Sequence, residues 1–255
     1  MKINDISVLI TGGCGGIGRA TAAMFLERGA AKVGLLDIDT ERVNQVVAEL
    51  SEKYSADRVV GLPADLADPA SILKAFELFD KFAGKLDVLV NNAGLLLQGP
   101  LFSVSFKGIK KFSLEEWHKA IDVNLTAVFI CSQLSVERMV KKRIKGAIVN
   151  ISSFSRNGFA GQSAYSAAKG GIASLTATLS KELSVYGIRC CAIAPGVIET
   201  QMTTSIDETF VSKILENVAL KRLGTPEEIA HGIQFCVEND YFNGKVLEID
   251  GGMAF

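Results

Sequence analysis

The chain has 255 residues, 48% hydrophobic and 22% charged, with a formal charge of −1. That suits one large α/β domain or two small ones, with a sizeable core, and gives no electrostatic case for nucleic acid or an anionic membrane surface as a partner. No apolar run reaches the ~18 residues of a spanning helix, and Met1-Lys2-Ile3-Asn4-Asp5 lacks a signal-peptide pattern, so a cytoplasmic protein is expected.

Five cysteines (Cys14, Cys131, Cys190, Cys191, Cys236) show no zinc-ligand spacing and read as small reduced core residues. With only His118 and His231 available, the composition argues against a metal site and against a Ser-His-Asp hydrolase.

In chain order, Ser7-Val8-Leu9-Ile10 is a short apolar strand. It runs into Thr11-Gly12-Gly13-Cys14-Gly15-Gly16-Ile17-Gly18, after which the pattern turns helical as far as Arg28-Gly29. Strand, glycine-rich turn and helix start together make a phosphate cradle: glycines let the backbone approach a pyrophosphate, and the helix N-terminus offers free N–H groups. The spacing of Gly12, Gly16 and Gly18 departs from the common GxGxxG pattern. The next strand, Lys32–Leu36, ends in Asp37, about 20 residues beyond the last glycine, where an acid accepts from the adenosine ribose hydroxyls and repels a 2′-phosphate. NAD(H) is therefore expected over NADP(H). The alternative use of Asp37, capping the following helix, suits Asp39 or Thr40 better.

Arg58–Leu62 reads as a third strand, followed by Asp65-Leu66 and a helix from about Ser71 to Phe82. Leu86–Val90 reads as a fourth, running into Asn91-Asn92-Ala93-Gly94. This regular alternation implies a parallel sheet with helices on both faces, with ligands beyond the carboxyl ends of the strands. Asp65, Asn92 and Gly94 would lie there. Leu95 to Phe112 is long for a connection, apolar and then basic at Lys107, Lys110 and Lys111; it is either a binding loop or a surface hairpin with a solvated tip. A capping box at Ser113–Glu116 starts a helix to about Arg143 that contains Asn124. Gly146–Ile151 is a fifth strand ending in Ser152-Ser153, and a helix follows from Ser163 to about Tyr186.

That helix carries Tyr165 and Lys169 four positions apart on one face. A phenol titrating near ~10 is a poor proton donor or acceptor at neutral pH, and a nearby ammonium lowers that value. Alone, the pair is better explained by packing and solvation. Beside a dinucleotide cradle and two strand-end serines, it becomes a candidate general acid–base centre. Arg189–Ile193 (a sixth strand) and Gly244–Ile249 (an edge strand) complete a seven-stranded set, with a helix opening at Thr225-Pro226 between them.

These residues resemble the short-chain dehydrogenase/reductase family over essentially the whole chain. The marks are Thr11-Gly12-x3-Gly16-x-Gly18, Asp65-Leu66, Asn91-Asn92-Ala93-Gly94, Asn124, Ser152-Ser153, Tyr165-x3-Lys169, Pro195-Gly196 and Asp250-Gly251-Gly252. The resemblance implies one Rossmann-type, doubly wound domain over residues 1–255 and a CH–OH oxidoreductase transferring hydride between a nicotinamide and a secondary alcohol or ketone. It implies that Tyr165 exchanges a proton with the substrate oxygen, that Lys169 tunes it and binds the nicotinamide ribose, and that Asn124 anchors a water relay. A serine holds the substrate oxygen: spacing to the tyrosine selects Ser152, matching of strand ends selects Ser153, and Ser153 is preferred because loops absorb deletions. The dinucleotide is expected at Gly12, Cys14, Gly16, Ile17 and Gly18, at Asp37, Asp65 and Leu66, at Asn92 and Gly94, at Tyr165 and Lys169, and at Val197 and Thr200, with Ile198 beside them.

Residues 199–223 would form a substrate lid in which Met202, Phe210, Ile214 and Leu215 line an apolar channel. A homotetramer is implied. The expected substrate is a 3-hydroxyacyl or 3-oxoacyl thioester of coenzyme A, from similarity to type-2 3-hydroxyacyl-CoA dehydrogenases, with the lysines of the 95–112 insertion at its phosphates. The alternatives are a 3-oxoacyl-[acyl-carrier-protein] reductase, another alcohol, steroid or sugar dehydrogenase, and a non-catalytic nucleotide-binding scaffold. The complete Asn, Ser, Tyr and Lys set disfavours the scaffold.

Overall fold

A computed structural model describes residues 1–106, 108–204, 211 and 214–253. Lys107, Phe210 and the side chain of Met202 lie outside the described set. Seven strands form one sheet: β1 (Ser7–Thr11), β2 (Lys32–Asp37), β3 (Val59–Pro63), β4 (Val88–Asn91), β7 (Ala147–Ile151), β8 (Arg189–Pro195) and β9 (Val246–Ile249). Their order is β3-β2-β1-β4-β7-β8-β9, and each pairing is parallel. The chain winds outward from β1 to β3, returns to the other side of β1 at β4, and winds outward again. The β1–β4 junction is therefore the topological switch point, where ligands of such sheets bind.

The strands read as continuous apolar runs because both faces are covered. Val8, Ile10, Val33 and Leu35 pack on one side with α1 (Gly16–Glu27), α2 (Thr40–Tyr54) and α8 (Pro226–Glu238). Leu9, Leu36, Leu89 and Ile148 pack on the other with α3 (Pro69–Ala83) and α5 (Ala127–Lys141). The helix starts follow the capping chemistry. Asp39 accepts from the Arg42 N–H at 3.1 Å and caps α2, and Thr225 and Glu228 form the capping box of α8.

The expected helix from residue 113 to 143 is not uniform. α4 (Leu114–Ile121) passes through a π-helical turn at Asp122–Thr126 into α5. By length and composition this continuous helix is apolar enough to cross a membrane. Here, however, it lies against the sheet, and its Arg138 forks onto Asp80 of α3 at 2.8–3.0 Å. The helix expected to reach Tyr186 stops earlier: α6 spans Ser163–Glu182, and a short 3-10 turn covers Ser184–Tyr186.

The insertion after Gly94 contains an antiparallel hairpin, β5 (Phe102–Ser105) with β6 (Gly108–Lys111). Leu101, Phe102, Val104, Phe106 and Ile109 are all exposed on it. Of the two readings of this stretch, its outer part is the surface hairpin, while Leu95, Leu96 and Gln98 at its root line a cleft.

Arg189 is a principal brace at the far end of the sheet, beside Asn243, which accepts from Cys190 N–H at 2.9 Å. Arg189 of β8 donates to the carbonyls of Cys236 (2.7 Å), Val237 (2.6 Å) and Phe242 (3.1 Å), satisfying the last turn of α8 and the chain beyond it. Arg189→Leu leaves three partly buried carbonyls without these partners. It is expected to cost about 2–4 kcal/mol, read as a lower urea midpoint at an unchanged m-value; an unchanged midpoint would show that the cap is not needed.

Candidate active site

A cleft of about 770 Å³ opens at the carboxyl ends of the strands, across the switch point. Its floor is the glycine-rich turn. Gly12 has φ +61°, and a Cβ there would come 2.8 Å from Ala93 Cα. A Cβ on Gly18 would lie 2.1 Å from the Gly12 carbonyl oxygen, so that position excludes any side chain. The turn is stapled to β4: the Asn92 side-chain amide donates to the carbonyls of Thr11 (3.0 Å) and Gly12 (2.9 Å), and the Thr11 hydroxyl accepts from the N–H groups of Asn92 and Ala93, both at 3.1 Å. No side chain caps α1, whose N-cap is Gly15. Its first N–H groups remain for an anion in front of them.

Asp37 ends β2 at the cleft wall, and its carboxylate is fixed by backbone donors, Cys14 N–H at 3.2 Å and Ile38 N–H at 2.9 Å. The helix-cap alternative fails, because Asp39 holds that place. A glycine floor that admits no Cβ, a free helix N-terminus and a fixed acid at the end of the second strand fit a dinucleotide. Among the expected cofactor positions, Gly12, Gly16, Ile17, Asp37, Asp65, Leu66, Asn92, Gly94, Tyr165, Lys169, Val197 and Thr200 all line the cleft. Cys14 and Gly18 stand behind its wall. The Cys14 side chain is buried in the core, where burial pushes the thiol up to about 12. Gly18 packs against the turn.

Across the switch point sits the polar cluster. Ser153 lies on the cleft wall beside Tyr165, where its hydroxyl favours the phenolate, and it accepts from Ser155 N–H at 3.1 Å. Ser152 faces elsewhere: its hydroxyl donates to the Lys169 carbonyl at 2.8 Å. Lys169 is buried, with Nζ donating to the Ile151 carbonyl at 2.8 Å and lying 5.5 Å from the centre of the Tyr165 ring. Asn124, in the π turn, is fully buried. Its amide donates to the carbonyls of Leu95 and Ala120, both at 2.8 Å, and its oxygen accepts from Leu95 N–H at 3.0 Å. A Cβ on Gly94 would meet Asn124 Oδ1 at 3.2 Å and Lys169 Nζ at 3.5 Å, so both groups converge on that glycine.

The electrostatics differ from the expectation in one respect. Burial raises Tyr165 above its ordinary value, the Ser153 hydrogen bond pulls it back, and the Lys169 ammonium is not among the causes. Lys169 itself is pulled down to about 8 by desolvation. Burial is the larger influence on the phenol, and the serine acts against it.

Gln162, Lys119, Arg42 and Gln201 also line the cleft and were not anticipated. Gln162, buried at the root of α6, accepts from the Ser155 hydroxyl at 2.9 Å. Its one mark in the sequence is its place three residues ahead of Tyr165. Of the four residues expected in the lid, Ile214 reaches the cleft.

Residues 7–210 match the short chain dehydrogenase family. The chain belongs to that family. It is similar to a 3-oxoacyl-[acyl-carrier-protein] reductase of Aquifex aeolicus, 37% identical with 99% of each chain covered. It is also similar to a type-2 3-hydroxyacyl-CoA dehydrogenase of Drosophila melanogaster, 34% identical with 98% of each covered. Among solved structures, a proposed gluconate dehydrogenase of Agrobacterium tumefaciens superposes with a TM-score of 0.90 at 30% identity, over 99% of this chain and 97% of that one. The protein is thus an oxidoreductase acting on CH–OH, of a family that uses NAD(P)(H).

Carrying an ammonium into the interior has a stability cost with a definite pH window. Lys169 falls from 10.5 to about 8 on folding, which corresponds to about 3 kcal/mol. The folded state holds fewer protons than the unfolded chain between those values, so the cost is full below pH 8 and is relieved as pH rises toward 10.5. Lys169→Met removes it and loses the bond to Ile151. A net gain of about 1–2 kcal/mol at pH 7, shrinking at pH 10, is expected; urea midpoints at the two pH values test it, and a variant destabilised equally at both would refute it.

Proposed function

We propose that this short chain dehydrogenase is NAD(H)-preferring and acts on a 3-hydroxyacyl or 3-oxoacyl thioester, with Ser153, Tyr165, Lys169 and Asn124 as its working set. The observation that supports the reading is that Ser153, Tyr165 and Lys169 line one cleft, with Asn124 meeting Lys169 at Gly94, beside a glycine cradle with a fixed Asp37 at its far wall. When bound, the nicotinamide supplies or accepts the hydride. Tyr165 Oη gives a proton to the substrate oxygen in reduction and takes one in oxidation. Ser153 orients that oxygen and favours the phenolate through the hydrogen bond it makes with Tyr165. Lys169, anchored on Ile151 with Nζ beside Gly94, would hold the nicotinamide ribose through its remaining N–H groups. Asn124 holds the Gly94–Leu95 backbone in place.

The thioester reading draws on the relatives, which are named for carrier-protein and CoA thioesters. It draws also on basic side chains near the substrate side: Lys119 on the cleft wall and the exposed Lys110 and Lys111 of the hairpin rooted there. The similarity to a carrier-protein reductase supports a second reading, in which the same phosphopantetheine arm arrives on a protein. A tetrameric assembly is part of the proposal, and sedimentation measures it directly.

Absorbance at 340 nm, with NADH and NADPH in parallel on acetoacetyl-CoA, the carrier-protein ester and simple ketones, separates these readings. Turnover of acetoacetyl-CoA with NADH at least ~10-fold above NADPH is expected, since an unpaired charge contact is worth over 1 kcal/mol. A preference for NADPH, or for simple ketones alone, would overturn the proposal. Tyr165→Phe should lower kcat by about 10²–10⁴ while NADH affinity is kept. Ser153→Ala should lose turnover more than Ser152→Ala, whose hydroxyl serves the Lys169 carbonyl; the reverse order would reassign the serine.

A further inference from the structure

The side chains lining the cleft include one pair that bridges it. Arg42, in the first turn of α2, donates through Nη1 to Gln201 Oε1 at 2.7 Å. Gln201 opens the short helix α7 (Gln201–Thr204) on the opposite side. Both ends of the bridge are braced. The Arg42 N–H is held by the Asp39 carboxylate that caps α2. The Thr203 hydroxyl accepts from Thr200 N–H at 2.9 Å and donates to the Ile198 carbonyl at 2.7 Å, fixing the segment that leads into Gln201. That segment already lies over the glycine-rich turn, since a Cβ on Gly16 would come 2.8 Å from Thr200 Cγ2.

The adenosine-to-pyrophosphate part of the cleft is thus bounded by the turn below, by Asp37 and Ile38 at its end, and by the Arg42–Gln201 bridge across its mouth. We infer that Arg42 and Gln201 form a strap that retains the dinucleotide and sets its rate of release. The inference rests on the cleft being the dinucleotide site of this family. The strap is one exposed hydrogen bond with a charged donor, so it opens readily, and its effect is on residence time and not on the chemical step. Because the bond needs both partners, removing either breaks the bridge, and removing both breaks no more of it.

The test uses the whole protein without substrate. Bound NADH is displaced by excess NAD in a stopped-flow fluorimeter, with melting temperatures as the check on folding. Arg42→Ala and Gln201→Ala are each expected to speed release by roughly three- to tenfold, the double variant no more than either single one, and the exchanged pair Arg42→Gln/Gln201→Arg to restore slow release. Unchanged rates in the single variants would overturn the strap. So would faster release in Arg42→Ala alone, since Arg42 would then act directly on the nucleotide. A protein that binds neither NADH nor NADPH would overturn the cofactor site and the strap together, whereas binding with unaltered release overturns the strap alone.

Discussion

The site depends on a reciprocal pair of hydrogen bonds between the end of β7 and the first turns of α6. Lys169 Nζ reaches down to the Ile151 carbonyl, and the Ser152 hydroxyl reaches up to the Lys169 carbonyl, both at 2.8 Å. Two bonds in opposite directions fix the height and rotation of the helix against the strand. With Ser152 committed to this clasp, the alternation of side chains along an extended chain sends Ser153 to the other side, toward Tyr165. Neighbouring serines therefore have different tasks. The clasp requires an ammonium in a desolvated position, which the protein tolerates because the carbonyl partner is rigid and the group titrates lower.

The strand ends are themselves aligned by polar groups inside an apolar sheet. Asn91 and Asn150 face each other across β4 and β7. The Asn91 amide donates to Asn150 Oδ1 (2.8 Å) and Ser132 (3.2 Å), and the Asn150 amide donates to Thr176 (2.9 Å). This buried ladder ties α5, two central strands and α6 into one register. A slip by one residue would unpair several buried donors at once, a far larger cost than any one bond contributes. Asn92-Ala93-Gly94 and Ser152-Ser153 follow directly from the two strands so aligned, so the register of the sheet becomes the geometry of the site.

Much of this was legible in the sequence because local chemistry and tertiary placement agree. The glycine turn, Asp37, the seven strands and the helix N-caps each announce themselves through composition that few other environments need. What was not legible depended on partners distant in the chain. Asn124 reads as an ordinary mid-helix residue until the π turn aims it at Leu95, 29 positions away; nothing local in Asp122–Thr126 marks a widened turn. Cys14 belongs to the turn by number but to the core by burial. The i,i+4 spacing of Tyr165 and Lys169 places the ammonium 5.5 Å from the centre of the ring, while Ser153, twelve residues earlier, acts against the effect of burial on the phenol.

The π turn also explains why α6 is rich in small residues. Its outward bulge brings Leu125 against α6, where a Cβ on Gly171 would come 2.9 Å from Leu125 Cδ2. A Cβ on Gly170 would lie 3.3 Å from the Arg156 carbonyl oxygen. Glycine weakens a helix interior by about 1 kcal/mol per position relative to alanine, and two in succession form a soft spot one residue beyond Lys169. They are tolerated because Gly171 lets the helix carrying Tyr165 and Lys169 lie close to the turn carrying Asn124, and Gly170 lets it lie close to the Phe154–Asn157 turn. Local helix propensity is thus given up where close approach matters most, and the Ile151 and Ser152 clasp restores the rigidity that the two glycines remove.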